Sequence, residues 1–96
     1  MRAKFPLGQL DATPGALRAL GRACQAPLFF FSKHQVGDWG EVCQTNALLN
    51  EEALQRRGGR LVSSYRTLEE EVVWVITDLD RPATTLMLPT EYQPGK

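Results

Sequence analysis

The apolar positions of this chain follow two different periods, one in each half. Before residue 60 they recur at helical spacing, and after it they crowd into short β-branched and aromatic runs. Thr13-Pro14 reads as a helix start, with Thr13 as N-cap and Pro14 in the first turn. Leu17, Leu20 and Cys24 then recur as its buried stripe. Gly21 weakens such a helix by about 1 kcal/mol relative to alanine, so a short helix is expected. Pro27 opens a second helix in which Phe30, Phe31 and His34 share one face and Phe29 points elsewhere, partly exposed. Gly37 ends it, and Asp38 is placed to cap a short turn. A third helix is predicted over 46–57, with Leu49, Ala53 and Leu54 as its apolar face and Asn50 beside them. Glu51 and Glu52 precede Arg56 and Arg57 in the order that suits side-chain pairing and the helix dipole. Gly58-Gly59 stops it.

Segments 61–67, 72–77 and 84–88 read as strands, joined by connections short enough for hairpins at Glu69-Glu70 and Asp80-Arg81-Pro82. Residues 5–10 add a short first strand, which Pro6 and Gly8 assign to an edge or an irregular position. Alternation assigns Leu61, Tyr65, Val72, Trp74, Ile76, Leu86 and Leu88 to the face beneath the helices. Val62, Ser64, Arg66, Val73, Val75, Thr77, Thr85 and Met87 fall on the other. The expected fold is α+β, two or three N-terminal helices packed on one face of a three- to four-stranded antiparallel sheet. One domain over 1–92 is expected, with 93–96 a disordered tail.

Composition narrows the function classes. Of 96 residues, 43% are hydrophobic and 23% charged, which suits one globular domain and argues against disorder throughout. Eleven Lys and Arg balance eleven Asp and Glu, so the basic excess of a protein that grips phosphates is missing. A nucleic-acid partner is therefore less favoured than a protein one. Cys24 and Cys43 have no metal or redox spacing. The N-terminal stretch lacks the apolar run of a signal peptide, and no segment approaches the ~20 apolar residues that span a bilayer. The expectation is a cytoplasmic protein with free thiols and no membrane anchor. No cofactor and no metal are expected. His34, Cys24, Cys43 and Asp38 lack ligand spacing, and there is neither a phosphate-binding glycine loop nor a nucleophile elbow.

Three groups of residues carry candidate chemistry. His34 stands four positions before Asp38 and pairs with it as acid and base, or else packs in the core beside Phe30 and Phe31. Trp39, between Gly37-Asp38 and Gly40, is either an aromatic anchor on a binding loop or a plug in the helix–sheet seam. Ser64, Arg66, Thr77 and Thr85 form a polar set on the less apolar sheet face, either suited to holding a phosphate or carboxylate or simply the solvated side of an uncovered sheet. Asp38, Trp39, Ser64, Arg66 and Thr85 are the expected binding residues.

Four runs, FPLGQL-x-ATPGAL, HQVGDWG, NEEALQRRGGRLVSSYR and VWVITDLDRPATTLMLPTEY, together resemble a small family of bacterial, plasmid and phage proteins, some labelled plasmid-related protein. The resemblance spans about residues 5–92. It carries over to His34, Gly37, Asp38, Trp39, Gly40, Asn50, Gly59, Arg60, Ser64 and Tyr65, and to Trp74, Thr77, Asp80, Arg81, Thr84, Thr85 and Tyr92. Pro82 stands where that family has serine, and Glu69-Glu70 replaces a glycine turn. The resemblance implies a mobile-element setting and specifies no activity. Two readings follow. One is an accessory protein that binds a protein or nucleic-acid partner, with inhibition of host defence as one version. The other, by analogy of topology, is a metal-independent endoribonuclease of the barnase or RelE type. There His34 and Asp38 would move protons, Arg66 would hold developing phosphorane charge, and Ser64 or Thr77 would position the phosphate.

Overall fold

A computed structural model describes residues 2–92, so the tail expected at 93–96 lies outside the described residues. In chain order the elements are β1 (Gln9–Ala12), α1 (Pro14–Ala23), α2 (Pro27–Gln35), α3 (Gln44–Arg56), β2 (Arg60–Arg66), β3 (Val72–Asp78) and β4 (Ala83–Met87). A single 3-10 turn, Pro89–Glu91, follows. The α+β expectation holds, with all three helices preceding the β2–β4 meander.

α1 begins as its sequence predicts. Thr13 Oγ1 accepts from the Ala16 amide and Pro14 occupies the first turn, a cap typically worth about 1 kcal/mol. Its buried stripe differs from the expected one. Leu17 and Cys24 are exposed, and the face against the sheet is Gly15, Ala16, Ala19, Leu20 and Ala23. Small side chains let the helix approach β4 closely; a Cβ on Gly15 would run into Leu88 and Glu91. α2 buries Phe30, Phe31 and His34 as its spacing predicts. α3 buries Asn50 and Ala53, with Leu54 half-buried, while Leu49 faces solvent.

The sheet order is β1-β4-β3-β2. β2–β3 and β3–β4 are antiparallel, but β1 joins β4 in parallel, so the sheet is mixed and not wholly antiparallel. β1 is an edge strand, as Pro6 and Gly8 suggest, shifted a few residues past the expected span. The β2–β3 turn is organised by Thr67, whose hydroxyl accepts from the Glu69 and Glu71 amides and whose carbonyl accepts from Glu70. Glu70 sits at φ 66°, a position usually given to glycine. The β3–β4 turn is set by Asp78, whose carboxylate accepts from the Asp80 and Arg81 amides.

The face assignment is correct for β2 and β4 and inverted for β3. Ser63↔Val75, Tyr65↔Val73 and Leu61↔Thr77 are opposed, so Val73, Val75 and Thr77 point under the helices with Leu61, Tyr65 and Leu86. Val72, Trp74 and Ile76 point the other way, and Trp74 is half-covered by Tyr92 at 5.7 Å between ring centroids. The cause lies in the strand itself. Val72 to Ile76 is apolar without interruption, so it carries no alternation from which to read a phase, and pairing decides.

The open edge of β2 is sealed by two devices. Asn50 on α3 donates to the Val62 carbonyl at 2.8 Å and accepts from its amide at 3.0 Å, standing in for a strand partner. The Ser64 amide donates to the Trp39 carbonyl at 3.0 Å, and the Glu41 amide donates back to Ser64. Gly40 is required between them: it has φ 73°, and a Cβ there would strike the Ser64 carbonyl. An edge so covered offers no template for pairing.

Candidate functional site

Three of the expected binding residues converge. Asp38, Ser64 and Arg66 line a cleft of about 210 Å³ beside the C-terminal half of α2, together with Phe29, Phe30, Lys33, Gly40, Glu41 and Tyr65. The α2 stop at Gly37 and the Gly40 pairing on β2 bring Asp38 and Glu41 to the strand carrying Ser64 and Arg66. The cleft is electrostatically self-balanced. Arg66 Nε donates to Glu41 at 2.9 Å and approaches Glu70 at 3.8 Å, and Lys33 lies 3.8 Å from Asp38. Tyr65, on the inner wall, donates its hydroxyl to the Asp38 carbonyl. Burial pushes its ionisation above the ordinary tyrosine range, so it remains a donor at all working pH.

Outside the cleft, α2 continues into an apolar trough of about 670 Å³ formed by Ala26, Leu28, Ser32 and Val36, with Phe29, Lys33 and Asp38 shared by both. Leu28 is 62% exposed and Phe29 52%. Lys33, Glu41 and Leu28 were not among the expected site residues. The signal for Leu28 lies in the run Leu28 to Phe31. Four successive helical residues spread over roughly 300° of the helix, so one helix–sheet interface cannot bury them all.

The remaining candidates lie elsewhere. Trp39 is only 7% exposed, stacked on Phe5 at 6.3 Å, with its indole N–H donated to Glu51 at 3.0 Å. It fills the seam between α3 and β2 and is not available as an exposed anchor. Thr85 lies on the outer sheet face, in a groove of about 300 Å³ lined by Arg60, Ile76, Asp78, Met87 and Tyr92.

His34 and Thr77 are brought together, but in the core. Each is fully buried, and they belong to one chain of hydrogen bonds whose direction follows from its last acceptor. Thr84 Oγ1 donates to the Leu7 carbonyl at 2.7 Å, which uses its only proton, so Thr77 must donate to Thr84 across 2.7 Å. Thr77 then accepts from His34 Nε2–H at 2.9 Å, and His34 Nδ1 accepts from Ser63. The ring is thereby held neutral in one tautomer, and burial lowers its pKa to about 4. His34 and Asp38 do not pair: the Asp38 carboxylate faces Lys33 and the Gly40 amide. Arg66 stands on the opposite side of β2, exposed and bound by Glu41. His34 and Thr77 of the ribonuclease reading therefore lie outside the cleft that Asp38, Ser64 and Arg66 share.

Among the described residues, no group of three or more His, Cys, Asp and Glu is placed to hold a metal ion, and no helix is long and apolar enough to cross a membrane. No protein-family model, curated protein or solved structure matches the chain.

Proposed function

We propose that this chain is an interaction protein, an accessory factor of mobile elements that binds a protein partner through the outer face of α2 and the cleft beside it. The observation that carries the reading is the exposure of Leu28 and Phe29, large apolar side chains on a regular helix, beside a polar cleft. Apolar anchors rimmed by charged pairs are the usual anatomy of a protein-binding patch. A nucleic-acid partner is less well supported, because Arg66 and Lys33 each already face a carboxylate and the chain has no net charge. The mobile-element setting is supported by the sequence resemblance, and a component of host defence is the partner class that setting favours.

The test is affinity capture from a host lysate with the wild type, the double variant Leu28→Ser/Phe29→Asp, and Leu49→Asp as a remote exposed control on α3. The expected result is one partner retained by wild type and control and reduced at least tenfold by the double variant. Retention by all three, or no partner together with unchanged host range on deletion, overturns the proposal.

A further inference from the structure

The cleft contains a ligand of its own. The Lys33 ammonium sits 5.1 Å from the centroid of the Phe29 ring and 5.9 Å from that of Tyr65, with the Asp38 carboxylate 3.8 Å away. Phe30 completes the aromatic wall, edge-on to Phe29 at 5.1 Å and tilted against Tyr65 at 5.6 Å. Aromatic faces beside a carboxylate form the arrangement that recognises alkylammonium groups, because ring quadrupole and negative charge both favour a weakly hydrated cation. Two of these three rings are held from behind. Phe30 and Tyr65 are core residues, and the Tyr65 hydroxyl is anchored on the Asp38 carbonyl. Lys33 is not anchored in the same way: its side chain is 40% exposed and sits on a flexible four-carbon stem.

We infer that this cleft is an alkylammonium-binding site that Lys33 occupies in the free chain, and that a docking partner fills it with a lysine of its own. As to the natural ligand, the inference rests on the docking reading above. Exchanging one ammonium for another leaves the charge of the cleft unchanged, so the exchange adds selectivity for a basic residue placed beside an apolar anchor. Affinity then comes mainly from Leu28 and Phe29. A neutral or acidic group at that position would leave Asp38 without its cation, which discriminates against such partners.

The experiment uses the full chain and the variant Lys33→Ala, titrated with N-acetyl-lysine methylamide and tetramethylammonium, while the ring signals of Phe29 and Tyr65 are followed by NMR. N-acetyl-norleucine methylamide serves as the neutral isostere. The emptied cage of Lys33→Ala is expected to give saturable shifts with both cations at millimolar concentration, with at least tenfold weaker binding by the wild type. Adding Asp38→Asn is expected to weaken the cations a further fivefold or more and leave the isostere unaffected. Lys33→Gln repeats the measurement should the alanine variant fold poorly. Absence of saturation in either variant, equal binding of the isostere, or wild-type binding as strong as the variant overturns the inference. The docking reading is read separately through Leu28→Ser/Phe29→Asp in partner capture. A silent titration with intact capture dependence removes only the ammonium site, and a positive titration with capture indifferent to the double variant removes only the docking face.

Discussion

α2 presents two faces built from similar residues and treated in opposite ways. Its inner face places Phe30, Phe31 and His34 against the sheet, where every polar atom of the imidazole has a partner. Its outer face carries Leu28, Phe29, Ser32 and Lys33 into solvent beside the cleft. The difference lies in what each face would lose on substitution. A buried hydroxyl–imidazole chain stays favourable only while complete, since each deserted donor or acceptor bears its full desolvation penalty. An exposed phenyl ring loses almost nothing when removed, so stability gives no reason for its presence. The outer face is therefore where the proposed docking function is placed, and the one histidine is part of the buried core.

The largest expected effect is on the inner face. His34→Ala opens a cavity and leaves Ser63 and Thr77 without their shared partner, so urea unfolding should show a loss of about 4 kcal/mol. A loss under about 1 kcal/mol would place His34 outside the core chain described above.

Acid tests the same chain without mutation. The folded-state pKa of His34 is lowered to about 4 from an ordinary 6.5, so the unfolded chain binds more protons between those values. The stabilisation is complete above about pH 6.5 and falls as pH drops through that window, the loss reaching on the order of 3 kcal/mol by pH 4. Chemical unfolding across pH 4–7 should show that slope, and His34→Gln should flatten it. An unchanged slope in the variant assigns the acid sensitivity to carboxylates instead.

Next comes the sheet edge. Asn50→Ala deserts both the amide and the carbonyl of Val62, which have no other partner across that edge, and should cost about 2 kcal/mol by thermal or urea unfolding. Asn50→Asp turns a carboxylate oxygen toward the Val62 carbonyl in a buried site, so it should cost at least as much as alanine.

The smallest effect on stability belongs to the outer face. Phe29→Asp should shift unfolding by less than about 0.5 kcal/mol while reducing partner capture. A destabilisation above about 2 kcal/mol would show that the ring serves the fold, and the contrast between the two faces would collapse.

Much of this was legible before any coordinates. The Thr13 cap and the Phe30–Phe31–His34 face follow from local rules of spacing and capping. So do the helix stops near Gly37 and Gly58 and the three meander strands. The errors have two causes. Leu17 and Leu49 were expected inside as apolar residues at helical spacing, yet α1 meets the sheet through alanines and Leu20 and α3 through Asn50 and Ala53. Trp74 was assigned inward by an alternation that its unbroken apolar strand does not carry. Among the site candidates, Asp38, Ser64 and Arg66 do meet, while Trp39, His34 and Thr77 are structural neighbours and Thr85 lies in a separate groove.

What the amino-acid order alone determined here is the kind of each element and most of its limits, because capping, turn chemistry and periodicity act over a few residues. Tertiary structure alone decided which way β3 faces, that β1 runs parallel to β4, and that Lys33 lies across two aromatic rings. Those outcomes depend on pairing between segments far apart in the chain, and an unbroken apolar run such as Val72 to Ile76 supplies no local preference for either phase.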